Sequence, residues 1–201
     1  MRNSRSPRAV RVYDARVAAS LDPPLGPGDH VAGPAGAPYE LLMYGDFQCP
    51  YCTAAQGPLR RVRERLGDQL RFAFRHFPIE EKHPDARRAA EAAEAAAAQG
   101  AFWEMHDALY ASGGRLHEDE IVAAAARLGL DAERLRAELR AGTHGPRVDA
   151  DRRSGERSGV TGTPGFFANG RLVEGSFDAG SLIEAITSPQ PSVLRDDAGL
   201  R

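Results

Sequence analysis

The sequence predicts an α/β protein: a strand–helix–strand unit, an all-helical insertion, then a hairpin and a last helix. Three observations carry this. First, an apolar run over residues 39–44 passes through Gly45-Asp46 into Cys49-Pro50-Tyr51-Cys52. That stretch opens a helical pattern with Ala55, Leu59, Val62 and Leu66 on one face. Second, the period turns helical over residues 84–159, with glycines between the segments. Third, Asn169-Gly170 stands between apolar runs, the strongest short signal of a hairpin turn.

Residues 1–37 read as an N-terminal extension or linker. They are rich in Arg, Pro and Gly, with Pro23-Pro24, Gly26-Pro27-Gly28 and Gly33-Pro34 as breakers. Disorder is expected of the first twenty. After the strand at 39–44, a helix is expected over 50–66, kinked at Gly57-Pro58. The strictly alternating run 70–77 is the second strand, with Leu70, Phe72, Phe74 and His76 on one face. Strands joined through a helix should be parallel, with a right-handed crossover. Helices follow over 84–99, 102–111, 118–128, 131–141 (Asp131 as N-cap) and 146–158 (proline at the first turn). The alanine-rich run 89–98 reads as close helix packing. The hairpin spans 165–173 and the last helix 178–187. The main domain is thus split into 38–82 and 160–188 around an insertion at 83–159, with a mobile tail at 189–201.

The chain has 201 residues and a formal net charge of −2, so no bulk electrostatics favours nucleic acid. No apolar run approaches the roughly 20 residues of a membrane span. Arg11, Asp14 and Arg16 break the one N-terminal stretch that could be a signal-peptide core. A cytoplasmic protein is expected. There, a Cys-x-x-Cys pair is catalytic or metal-binding more often than structural. No nucleotide-binding or metalloprotease motif occurs, and no cofactor is expected.

Cys49 and Cys52 are the only cysteines. With Cys49 near the N-cap and Pro50 at the first helical position, backbone N–H groups and the positive helix end would face the Cys49 sulfur. They favour the thiolate, lowering a pKa of about 8.5 to roughly 3.5–7.5. Cys52, one turn on, can reach back to form a disulfide or release a mixed one. A structural zinc site would need two more ligands. His30, His76, His83, His106, His117 and His144 show no paired spacing, so no metal is expected. Phe102, Trp103 and Met105 read as core, and His76 as a structural histidine. His106 and Asp107 read as helix surface, since adjacent helix positions do not face each other. Arg60, Arg61, Arg63 and Arg65 read as a solvated face.

Five segments together resemble the DsbA-like thioredoxin-fold oxidoreductases. The likeness is greatest to thioredoxin-like domains found alone or fused to bacterial sodium/proton antiporters. The segments are Asp29-His30-Val31 with Gly33-Pro34 and Ala37-Pro38, Tyr44-Gly45-Asp46-Phe47-Gln48-Cys49-Pro50-Tyr51-Cys52, Phe74-Arg75-His76-Phe77-Pro78, Phe102-Trp103-Glu104-Met105-His106-Asp107, and Gly159-Val160-Thr161-Gly162-Thr163-Pro164-Gly165-Phe166-Phe167. The resemblance implies a thioredoxin fold with a helical insertion and a thiol–disulfide oxidoreductase with Cys49 and Cys52 as catalytic residues. Pro50, Tyr51, Thr163 and Pro164 would shape the site, with a cis Thr163–Pro164 bond against the cysteines. It also implies protein or small-molecule disulfide or dithiol substrates, bound by strand addition, and a recycling thiol system. Two departures stand out. Met43 occupies the place of the acid that thioredoxin and DsbA carry six positions before the first cysteine. Asp46 is then the candidate proton relay, or else a solvated turn residue. Pro50-Tyr51 replaces the Pro-His of the strong oxidase, which predicts a potential nearer the roughly −200 to −230 mV of glutaredoxins than about −120 mV. The competing reading is a non-catalytic binding module: a chaperone, a metal sensor or a partner domain.

Overall fold

The computed structural model describes residues 19–189. The expectations for the chain before and after this range lie outside the described residues. Strand β2 (Tyr39–Gly45) leads to helix α1 (Pro50–Leu66), which runs without a break through Pro58 and returns the chain to β3 (Leu70–His76). β2 and β3 are parallel, in register from Tyr39 opposite Leu70 to Gly45 opposite His76. The strand–helix–strand unit is as the periodicity predicts. β4 (Gly165–Ala168) pairs antiparallel with the free edge of β2, and β5 (Arg171–Leu172) closes the hairpin. Its turn residues Asn169 and Gly170 have φ of 47° and 78°, the positive values a two-residue hairpin needs. Helix α7 (Ala179–Thr187) follows, with the Asp178 side chain capping Ser181 N–H.

The stretch 1–37 is not simply a linker. His30–Ala32 form a further strand, β1, antiparallel to β3. The sheet order is therefore β1-β3-β2-β4-β5. Upstream, Leu21 is buried and its N–H donates to the Gly170 carbonyl at 2.8 Å. A buried arginine ties this segment down. Arg75 donates to both carboxylate oxygens of Asp29 (2.7 and 2.9 Å), to the Pro23 and Pro24 carbonyls, and to the Tyr44 hydroxyl.

β2 is apolar on both faces because both faces are covered. Leu41 and Met43 meet Ala55, Leu59 and Val62 of α1 and Leu182 and Ile186 of α7 in one core. Leu42 and Tyr44 join Ala73, Phe77 and Phe167 on the opposite face. The insertion is all-helical, as expected: α2 (Ala86–Ala97), α3 (Phe102–Ala111), α4 (Glu118–Arg127), α5 (Ala132–Ala141) and α6 (Gly145–Arg157). α2 packs on α3 to α6 through buried Ala89, Ala92, Ala93 and Ala96, whose small side chains allow close approach. α6 lies against the sheet at Gly155, where a Cβ would sit 2.6 Å from the ring of Phe77, just past β3, and 3.1 Å from Tyr44 of β2. Gly155→Ala should therefore lower stability. Overpacking costs about 1–3 kcal/mol, more than the roughly 0.8–1 kcal/mol of helix propensity gained. A reduced urea midpoint is the expected reading.

Candidate active site

Both cysteines sit at the C-terminal end of β2, where the chain turns into α1. Cys49 is the N-cap, with φ −74° and ψ 121°, and Pro50 fills the first turn. Arg63 and Arg65 in the last turn suit the negative helix end, while no acidic residue in the first turn offsets the positive end, which is left to act on Cys49. Cys49 is 3% exposed and Cys52 wholly buried, so a substrate reaches the second sulfur only through the first. Both are free thiols. Tyr51, between them, is 66% exposed.

The two sulfurs have opposite electrostatics. The Cys52 thiol hydrogen-bonds to Cys49 and is the largest influence on it. The Thr163 hydroxyl and the Cys52 and Tyr51 backbone N–H groups add to it. Together they outweigh burial and bring the Cys49 thiol down to about 5. Burial pushes the Cys52 thiol far up, and the neighbouring Cys49 charge pushes it further. The helix-end N–H groups expected from the sequence are present, but the second cysteine outranks them.

The Thr163–Pro164 bond is cis, and the Thr163 carbonyl oxygen lies 3.5 Å from Cys49 Sγ. Residues 114 apart in sequence thus share one site with the cysteines. The buried Thr163 hydroxyl meets no neighbour in full hydrogen-bond geometry, so its pull on Cys49 is that of a nearby dipole.

Asp46 is not a solvated turn residue. It is 2% exposed, and its carboxylate accepts from Gln48 N–H (2.8 Å), Ile79 N–H (2.9 Å) and His83 Nδ1 (2.7 Å). Met43 is buried in the core beneath the site. His106 departs from expectation too: it is 2% exposed, with Nδ1 against Asp107 Oδ1 at 2.8 Å. Phe102, Met105, His106 and Tyr110 turn inward together. Asp107 stays at the surface and reaches back along its own helix. Phe102 and Met105 are core residues, as read, and Trp103 packs against that core. The four arginines of α1 are exposed, as read.

Among the described residues, one group brings three ligand-type atoms together: His30, His76 and Glu94. It contains neither cysteine. Both histidines direct Nε2 at the same oxygen, Glu94 Oε1, at 2.7 and 2.8 Å. Metal-bound imidazoles usually donate their other N–H to an acceptor, and His76 Nδ1 has no partner. The geometry is that of a buried hydrogen-bonded network holding β1 and β3 to α2. Glu94 is buried, which raises its pKa, but the two imidazoles hold its carboxyl far below the usual range.

A sheet of this order, with Cys-x-x-Cys opening the helix after its central strand and a cis Thr-Pro loop against it, defines a thioredoxin-fold protein. The chain belongs to the DSBA-like thioredoxin domain family, which matches residues 40–187. It is 46% identical over 162 residues to the Na(+)/H(+) antiporter NhaA 1 of Salinispora arenicola (strain CNS-205), covering 80% of this chain and 24% of that protein. It is 44% identical over 174 residues to NhaA 3 of Salinispora tropica, covering 85% and 26%. The chain thus spans about a quarter of the length of these curated relatives. Among the described residues no helix is long and apolar enough to cross a membrane. A thioredoxin-like oxidoreductase from Silicibacter pomeroyi DSS-3 superposes with a TM-score of 0.72 at 27% identity, covering 80% of this chain and 91% of that one. Pseudomonas aeruginosa DsbA2 gives 0.63 at 27%, covering 81% and 95%. BdbD from Bacillus subtilis, at 0.72 and 21% over 84% and 94%, shares the fold.

Proposed function

We propose that this chain is a thiol–disulfide oxidoreductase in which Cys49 attacks and Cys52 resolves. The observation that carries the reading is the contrast between the two sulfurs. One is 3% exposed, with its thiol brought down to about 5, and the other is wholly buried beside it and held protonated. Family membership supports the same reaction class. The Cys49 thiolate attacks one sulfur of a substrate disulfide and forms the mixed disulfide, and the other substrate sulfur leaves as a thiolate. Cys52 then loses its proton and attacks Cys49 Sγ. The Cys49–Cys52 disulfide forms and the second substrate sulfur leaves with the electron pair. A recycling thiol returns two electrons. Substrates are protein or small-molecule disulfides. Exposed Tyr51 and the partly exposed Thr163–Pro164 loop offer contact area and main-chain groups to an extended peptide. A cytoplasmic location is part of this proposal, and cell fractionation tests it. There the glutathione poise favours reduction of substrates over their oxidation.

Insulin reduction coupled to a thiol reductant tests the reading. Cys49→Ser should fall to the uncatalysed rate. Cys52→Ser should accumulate the mixed disulfide, visible as a mass increase reversed by excess thiol. Equal turnover in wild type and Cys49→Ser would leave a binding module instead. Asp46, the relay candidate from the sequence, is tested in the same assay: a pH–rate profile unchanged in Asp46→Asn excludes the aspartate.

A further inference from the structure

The wholly buried Cys52 must shed a proton before it can attack, and Met43 stands where the family carries an acid for that purpose. The carboxylate of Asp46 is already committed to three donors. Several buried polar atoms among the described residues lack a hydrogen-bond partner, and two of them belong to α3. The Tyr110 hydroxyl makes no hydrogen bond, and neither does His106 Nε2. An unpaired buried hydroxyl costs about 1–3 kcal/mol, so its presence calls for a reason.

The placement supplies one. Tyr110 lies on α3, its ring 4.9 Å from Phe47 and 5.0 Å from His106. Its oxygen abuts the end of β2, where a Cβ at Gly45 would lie 2.8 Å away. Cys52 shares this core cluster, and its side chain is near enough to act on the Tyr110 hydroxyl. Together with Thr53 and Gln56 of α1, Tyr110, His106 and Asp107 line a cleft of about 370 Å³. Asp107 accepts from His106 Nδ1–H, which leaves a bare lone pair on Nε2 beside the tyrosine. The two rings pack edge to face, yet the hydroxyl and Nε2 do not hydrogen-bond to each other in the reduced protein.

We propose that the Tyr110 hydroxyl, backed by His106 and Asp107, serves Cys52 in place of the family's acid: it donates a hydrogen bond to the Cys52 sulfur as that sulfur becomes a thiolate, and it opens a proton path along α3 to solvent. This rests on the oxidoreductase reading above. A neutral thiol is a weak acceptor and a thiolate a strong one, so the bond closes when it is needed. Burial, then the Cys52 and Asp46 charges, hold the Tyr110 hydroxyl protonated well above the ordinary tyrosine range. It is a donor at every working pH. Burial keeps His106 neutral, against the opposing pull of Asp107 and with His76 and Arg63 adding to it. The titratable groups facing Tyr110 are Cys49 and Cys52 of α1, Asp46 of the β2–α1 turn and His106 of its own helix. In the resolving step the Cys49–Cys52 bond forms and the Cys49–substrate bond breaks. The departing thiolate gains the electron pair, and the Cys52 proton passes to it or to solvent.

Reduced full-length protein mixed with 5,5′-dithiobis(2-nitrobenzoate) releases one coloured thiolate when Cys49 attacks and a second when Cys52 resolves. Stopped-flow absorbance separates the two. In Tyr110→Phe the first phase is expected to match wild type. The second should slow by about tenfold or more, the worth of one hydrogen bond to a charged group, and its pH profile should move to higher pH. His106→Gln should slow the second phase and flatten its pH dependence. Thermal stability of Tyr110→Phe should equal or exceed wild type, because an unpaired buried hydroxyl is removed. A second phase within twofold of wild type in both variants from pH 6 to 9 overturns the proposal, as does a profile moved by Asp46→Asn and not by Tyr110→Phe. A wild type with no fast first phase would instead sink the oxidoreductase reading.

Discussion

Alkylation of Cys49 by iodoacetamide should be half-maximal near pH 5 and flat above about pH 6, while Cys52 stays unreactive in the folded protein. Thiolate population and intrinsic reactivity pull in opposite directions here, and the magnitudes decide what to measure. At pH 5 half of Cys49 is thiolate, against about 0.03% of a thiol with a pKa near 8.5, roughly a 1,600-fold excess. A Brønsted slope of about 0.4–0.5 over 3.5 pH units gives back roughly 40-fold. The net gain at pH 5 is about 40-fold. At pH 8.5 the ordinary thiol is the faster of the two. The shape of the profile is therefore the diagnostic, and a rate still rising through pH 8 would end this account. The stability linkage has a definite sign. The folded pKa lies below the unfolded one, so the reduced fold gains its full stabilisation above the unfolded value, near pH 9. It loses that gain as pH falls towards 5. At pH 7 the thiolate is favoured by at most about 2 kcal/mol more than one of pKa near 7, as in thioredoxin. That is a few tens of millivolts, which moves the couple from thioredoxin's roughly −270 mV towards the glutaredoxin range. Equilibration with a glutathione redox buffer measures it.

The parts of this site that were legible from the sequence are those set by local rules. A proline after Cys49 at the end of an apolar run fixes an N-cap, and the cap geometry is there. Alternation over 70–77 and the helical stops returned β3 and the five inserted helices to within about two residues. What failed was long-range. β1 is three residues long, too short for any period, and exists because β3 offers it an edge and Arg75 a clamp. Asp46 looked like a turn residue. It is buried because the chain after β3 folds over it, bringing Ile79 N–H and the His83 ring from 33 and 37 positions away. His106 was assigned to the surface because it adjoins Asp107. The better signal was its place on the inward face with Phe102, Met105 and Tyr110, spaced three to four residues apart. Tyr110 had no signal beyond that spacing, since its hydroxyl matters only through a sulfur on another helix.

Arg75→Met should cost about 3–5 kcal/mol, the range for breaking a buried ion pair from one side. Arg75 and Asp29 are 4% and 6% exposed at the side chain. All five guanidinium N–H donors have a use: two to Asp29, one each to Pro23 and Pro24, and one to the Tyr44 hydroxyl. Removing them strands a carboxylate in the interior and releases the segment that carries β1. At about 2–4 °C per kcal/mol, the thermal midpoint should fall by on the order of 10 °C. The pH dependence separates the two consequences. In the wild type, burial alone would raise the Asp29 pKa, and the Arg75 hydrogen bonds reverse it to a net lowering. Its stabilising contribution is present above the ordinary carboxylate value and fades as pH falls through the folded one. Without Arg75 only the Gly26 N–H and the more distant Arg147 oppose burial, the largest influence, so the folded pKa rises. The penalty is then largest at neutral pH and shrinks as Asp29 takes up a proton. Arg75→Met should therefore lose less stability at pH 4 than at pH 7 in urea titrations, and Asp29→Asn in the Arg75→Met background should recover part of the loss. A penalty independent of pH, unrelieved by Asp29→Asn, would mean that the carbonyls of Pro23 and Pro24 and the hydroxyl of Tyr44, rather than the carboxylate, are what Arg75 is there to satisfy.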